Sequence, residues 1–214
     1  MTDLAAHGIE VTLPTGWEGR LFRRPSSGEV AAAAADGPPA PLGETTHAVL
    51  HVCTIALPPG VGDFASGAVD RLGAGDALIV LFEYDPASID QPLFKAEGLP
   101  KKLSEGDFSP NVLQRAMKGQ AGVQRFFRDV GRTFCLYVVL GAYANRRKLV
   151  PAVNEVLATL AIDQLDATGA PVTSTTSTTV APGAPTTEPP TTEPPTTEAS
   201  PTTEAPPTTT PSGP

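Results

Sequence analysis

His51 and Cys53 stand two residues apart in an apolar run. On a strand that spacing turns an imidazole and a thiol to one side, with Cα atoms roughly 6.5–7 Å apart. The pair is close enough to share a metal ion or to act as a nucleophile with its base. His47 falls on the same side of a regular strand but about 13 Å from His51, and no third ligand stands nearby in the sequence. The competing reading is a rim histidine beside a core cysteine, which needs no ligand and is the commoner arrangement for these residue types.

Glu83 and Asp85 form a second pair on one strand face. Glycosidase carboxylates stand ~5–9.5 Å apart, a range this spacing allows. The pair also sits at a strand end beside Pro86, where solvated charge is ordinary. No G-x-S-x-G, P-loop or G-x-G-x-x-G occurs, and Gly73-x-Gly75 alone reads as a turn. No catalytic, cofactor-binding or metal-binding residue is therefore assigned. The expectation is a non-catalytic binding or assembly module with an unidentified protein partner and no cofactor. A small hydrolytic or metal enzyme built on His51 and Cys53 is the lesser alternative.

The elements that must carry these residues are legible from period. Val123–Asp129 and Thr133–Tyr143 are rich in Phe, Val and Tyr around an Asp129-Val130-Gly131-Arg132 turn signal, which predicts a β-hairpin. The second strand is apolar on both faces and belongs in the middle of a sheet, as does Ala77–Tyr84. Beyond Tyr143 the period lengthens to about 3.6. Leu149, Val153, Val156, Leu157 and Leu160 then form one helical stripe, starting at an Asn145 cap or slipping toward Lys148 because Arg146 and Arg147 place positive charge at the helix start.

Further strands are expected at Ile9–Leu13, Arg20–Arg24, Thr46–Leu57 and Val112–Arg115, with a short helix over Phe64–Leu72. The first two strands read as a hairpin with Trp17 plugging its corner. The fold class is α+β: a mainly antiparallel sheet of about six or seven strands with a C-terminal amphipathic helix on one face.

Composition divides the 214 residues. Residues 167–214 hold 12 of the 24 prolines, four Pro-Thr-Thr-Glu repeats, and no Lys, Arg or aromatic residue. Such a segment lacks the material for a core, so it reads as a disordered acidic tail, and residues 1–166 as one globular domain with a mobile loop at 25–45. The net charge of −8 is shared equally between the two parts, and Arg20, Arg23, Arg24, Arg125, Arg128 and Arg132 are interspersed among acids, so nucleic acid is not an expected partner. No run reaches the ~18–20 apolar residues of a membrane span. Met1-Thr2-Asp3-Leu4 carries no secretory pattern, which gives a cytoplasmic expectation. A Thr/Pro-rich tail is equally the mark of an O-glycosylated stalk on an envelope-displayed or secreted domain. Cys53 and Cys135 each lie in an apolar strand, and free buried thiols and a disulfide both remain open.

The opening strand running into Leu13-Pro14-Thr15-Gly16-Trp17, the antiparallel sheet, and the closing helix Val156-Leu157-Ala158-Thr159-Leu160 together resemble the Mog1/PsbP-like α/β/α sandwich. Gly16–Arg20 and Phe134–Val139 resemble, more narrowly, an uncharacterised group of actinobacterial proteins. The resemblance covers residues 9–162. It implies a fold whose members act as small-GTPase partners, photosystem accessory proteins and envelope lipoproteins, and it carries over no functional residue. The sequence departs from the lipoprotein members in lacking a lipobox cysteine near its start.

Overall fold

The computed structural model describes residues 1–24, 47–59, 64–113 and 117–165. The expected loop at 25–45 and the tail at 167–214 lie outside the described residues. The fold is α+β, and among the described residues eight strands divide into two antiparallel sheets rather than one. A three-stranded sheet has the order β1-β2-β8, from Thr2–Ala6, Ile9–Leu13 and Ala161–Ile162. A five-stranded sheet has the order β3-β4-β5-β7-β6, from Glu18–Arg23, Ala48–Cys53, Ala77–Glu83, Arg132–Leu140 and Ala121–Asp129. α1 is Ser66–Val69 and α2 is Arg146–Thr159.

The large sheet follows the expected logic. β7 is buried along all nine residues and lies between β5 and β6, while β5 is buried along all seven and lies between β4 and β7. The β6–β7 hairpin closes through Val130-Gly131, with φ of 46° and 77°. Two positive φ values in a two-residue loop are the mark of a type I′ turn, whose twist matches that of the strands. His7-Gly8 closes β1–β2 in the same way, at 56° and 67°.

Residues 9–13 and 20–24 do not form the expected hairpin. β2 pairs with β1 on one edge and β8 on the other, and β3 pairs with β4. The intervening turn, in which Trp17 N–H donates to Pro14 C=O and Gly16 takes φ 88°, carries the chain from one sheet to the other. Trp17 is half-buried there against the core. The strand expected at 112–115 is not formed at its start. Pro110–Val112 is a 3₁₀ turn capped by the Ser109 hydroxyl, which accepts from Asn111 N–H, and residues 114–115 lie outside the described set. Pro110 fixes a helical φ and removes a ladder donor, so the cap prevails.

α2 begins at Arg146, without slipping to Lys148. Glu105 lies 3.8 Å from Arg146 and 3.6 Å from Arg147, so a carboxylate offsets the charge at the positive end of the dipole. Asn145 holds the N-cap position, but its side chain donates to Ala74 C=O instead of capping. Leu149, Val153, Val156 and Leu157 are buried on the predicted stripe, joined by Val150. Each contributes roughly 1.5–3 kcal/mol through burial, enough to outweigh the poor cap and the N–H missing at Pro151.

Strand alternation gives the large sheet two faces. Leu50, Ile79, Leu81, Leu136 and Val138 pack under α2 and the three-stranded sheet. Val49, Leu78, Val80, Phe82 and Tyr137 point the other way, to a second cluster covered among the described residues by α1 and short turns. These are the helix face and the aromatic face below. No described helix is long and apolar enough to cross a membrane.

Candidate functional site

β4 places His51 and Cys53 on the aromatic face, where both are fully buried. His51 is therefore a core residue and not a rim histidine: it stands opposite Arg20 in β3 and Val80 in β5, and the Phe22 ring meets its imidazole edge-on at 5.2 Å. Burial raises the Cys53 thiol above its usual pKa. The thiolate needed for nucleophilic attack or metal binding is thus disfavoured at neutral pH. His47 lies just outside β4, and its Nε2 is 3.7 Å from Asp85. Among the described residues no three His, Cys, Asp or Glu side chains gather closely enough to hold a metal ion.

The two cysteines are free. Cys53 stands opposite Leu78 and Cys135 opposite Phe82, so they are two strands and four residues apart. Sheet spacings make that about 16 Å, well beyond the ~4.4–6.8 Å that a disulfide spans. Burial pushes the Cys135 thiol up to about 11, partly countered by the hydrogen bond that the Gln124 amide donates to its sulfur at 3.3 Å.

Glu83 and Asp85 do not work as a pair. Asp85 is exposed and caps the 3₁₀ turn Pro86–Ser88, accepting from Ala87 N–H at 2.7 Å. Glu83 is buried at the end of β5 on the helix face and receives Arg132 in a two-pronged ion pair, Nε to Oε1 at 2.8 Å and a terminal nitrogen to Oε2 at 3.0 Å. Ala48 N–H also donates to Oε2. The remaining Arg132 donors reach the carbonyls of His7, Gly8 and Asp163. All five guanidinium N–H groups are thereby satisfied. This cluster joins the two sheets: it ties the His7-Gly8 turn and the residue after β8 to β5 and β7.

An open cleft of 450 Å³ lies at the β6–β7 turn, with Glu97, Arg128, Asp129 and Val130 among its walls. Arg128 and Glu97 are paired with each other, and Asp129 accepts Leu99 N–H. Its charged groups thus already hold the wall in place.

The feature that sequence reasoning missed is the ring system on the aromatic face. Phe64 stacks on Phe82 at 5.5 Å and meets Tyr137 edge-on at the same distance. Phe82 contacts Tyr84 at 4.8 Å, Tyr84 contacts Phe94 at 5.1 Å, and Phe94 contacts Phe126 at 5.9 Å. The Arg24 guanidinium lies 4.0 Å from the Phe82 ring centre. With Phe22, seven of the chain's twelve aromatic residues lie on this side of the sheet. Phe22, Phe64, Tyr84 and Phe126 are partly exposed. The signal was present in the parity of Phe82 with Tyr84, but the membership of Phe64 and Phe94 depends on loops returning to the sheet. Edge-to-face contacts of this kind add about 0.5–1.5 kcal/mol each beyond area burial and fix the rings in place.

No protein-family model matches this chain, and neither a curated protein nor a solved structure matches it.

Proposed function

We propose that the folded part of this chain is a non-catalytic binding module that docks a protein partner against the partly exposed rings Phe22, Tyr84 and Phe126. The observation that carries this reading is the ring system itself: Tyr84 and Phe126 are held rigid by their neighbours and Phe22 by His51, with a cation beside Phe82 and partial access to solvent. Aromatic and arginine side chains in such settings anchor protein interfaces, because they bury much area for little lost freedom. Residues 167–214, acidic and without aromatic residues, suit a solvated tether between this module and another attachment point. The sequence resemblance to the Mog1/PsbP-like α/β/α sandwich supports the same reading, since proteins of that class are chiefly binding and assembly modules.

Photo-crosslinking tests the reading. A benzophenone side chain at Phe126 captures a discrete partner in the native host, and one at Lys148 on α2 does not. With the probe kept at Phe126, Phe22→Glu abolishes that capture while the melting temperature stays within a few degrees. Equal capture from both positions, or from neither, rejects it.

The Pro-Thr-Thr-Glu repeats favour a second reading, an envelope-displayed domain on an O-glycosylated stalk. It predicts hexose increments on threonines between 173 and 210 in the intact mass of native protein. A bare tail favours the cytoplasmic alternative.

A further inference from the structure

The five-stranded sheet ends in two different edges. Along β6 the outward main-chain groups are taken at both ends. Gly122 exchanges hydrogen bonds with Ser109, Arg128 N–H donates to Ala96 C=O, and Gly98 N–H donates to Arg128 C=O. Such bridges blunt an edge against further pairing.

β3 is built otherwise. Arg24 N–H donates to His47 C=O, which makes 24 and 47 a hydrogen-bonded pair continuing the β3–β4 register. Antiparallel pairs alternate, so Phe22, Arg20 and Glu18 also direct their main-chain groups toward β4. Gly19, Leu21 and Arg23 therefore direct theirs outward, and among the described residues no main-chain partner takes them.

We infer that this edge is a self-pairing surface, on which a second copy of the chain lays its own β3 antiparallel across a two-fold axis at Leu21 to form one continuous ten-stranded sheet. The outward set is symmetric about Leu21. Centring the axis there pairs Leu21 with its copy and Gly19 with Arg23 of the copy, twice over. Every outward group then finds a partner, giving about six main-chain hydrogen bonds.

The side chains agree with that register. Glu18 comes opposite Arg24 of the copy, Arg20 opposite Phe22, and Arg23 opposite Gly19, so no like charges face each other directly. An opposite-charge pair and a cation beside an aromatic ring are favourable cross-strand neighbours. A slip by one residue would set outward groups against groups already bonded to β4. A two-fold contact of this kind is isologous and closes at two copies, so it does not propagate into fibres. The dimer would also carry two aromatic faces on one sheet. The self-pairing stands whatever that face binds.

Sedimentation equilibrium of the full chain and register-specific crosslinking test it. The mass rises with concentration from 22.1 kDa toward twice that value, and Leu21→Lys, which sets two cations together on the axis, holds it at the monomer with unchanged circular dichroism. Leu21→Cys forms a covalent dimer on mild oxidation, since hydrogen-bonded antiparallel partners have Cα atoms about 5.5 Å apart, within disulfide reach. Arg23→Cys does not, because each copy's residue 23 lies about 14 Å from the other's. Cys53 and Cys135 are buried and add no background. A chain that stays monomeric at millimolar concentration, or that crosslinks equally from positions 21 and 23, overturns the inference.

Discussion

The two faces of the large sheet are both apolar, yet they are covered in different ways. The helix face lies under a 14-residue helix and a second sheet, sealed by aliphatic side chains and clamped at one end by Arg132. On the aromatic face the described cover is the four-residue α1 and short turns, and rings do much of the packing. Regular elements bury an apolar stripe completely. Short pieces leave gaps that large planar side chains fill in part and expose in part. The helix face thus carries the more complete burial, and the aromatic face is the one on which we propose a partner docks.

The largest effect that would sharpen this division comes from the clamp. Arg132→Met leaves the Glu83 carboxylate buried without its cation and the carbonyls of His7 and Gly8 without donors from β7. Breaking one side of a buried pair costs about 3–5 kcal/mol, to be read from urea unfolding. Adding Glu83→Leu recovers only part of this, because the carbonyls remain unserved. A loss below about 1 kcal/mol in the single variant would remove the clamp from the account.

Next comes a matched pair of truncations. Leu157→Ala under the helix face opens a cavity in a fully buried site and costs about 2–5 kcal/mol. Phe126→Ala removes a larger side chain but a partly exposed one, so less apolar surface is lost from burial, and the expected cost is under about 2 kcal/mol. Equal costs in urea unfolding would mean that both faces carry stability alike.

Much of the helix face was legible because its period is regular. The apolar doubling of β7 and the stripe from Leu149 to Leu157 each state their own element, and every residue of the stripe is buried, with Val150 added beside it. β1 was not legible: Thr2–Ala6 buries little besides part of Leu4, so no alternation marks it, and it is a strand through pairing with β2. Pairing likewise overrode the expected hairpin of residues 9–13 with 20–24, since adjacency in sequence does not say that a turn changes sheets.

Of the candidate site, the sequence placed His51 and Cys53 on one face correctly. It missed that β3 and β5 enclose His51 on either side. It also could not show that Glu83 faces an arginine 49 residues away. The aromatic face is assembled from β3, β5, β6, β7 and two loops, so no local period announces it.

The smallest predicted effect concerns acid. His7, at the turn that the clamp holds, accepts a hydrogen bond from Arg23 Nε through Nδ1 at 3.2 Å, a contact that requires a neutral imidazole because arginine keeps its charge. Burial, followed by the positive charges of Arg23 and Arg132, holds its pKa below the usual 6.5, and Glu83 offsets this in part. Unfolding restores the ordinary value, so between the two pKa values the unfolded chain binds more protons. Stability from this residue is then complete above pH 6.5 and declines as pH falls through the lowered folded-state value. The effect is modest, since His7 is only partly buried. His7→Asn tolerates the positive φ and does not titrate. The stability difference between wild type and this variant should narrow from pH 7 to pH 5, and hydrogen exchange should show β1–β2 loosening before the strands of the aromatic face. A difference that stays constant with pH, or loosening that begins on the aromatic face, would place the acid-sensitive contact elsewhere and undo the assignment of His7.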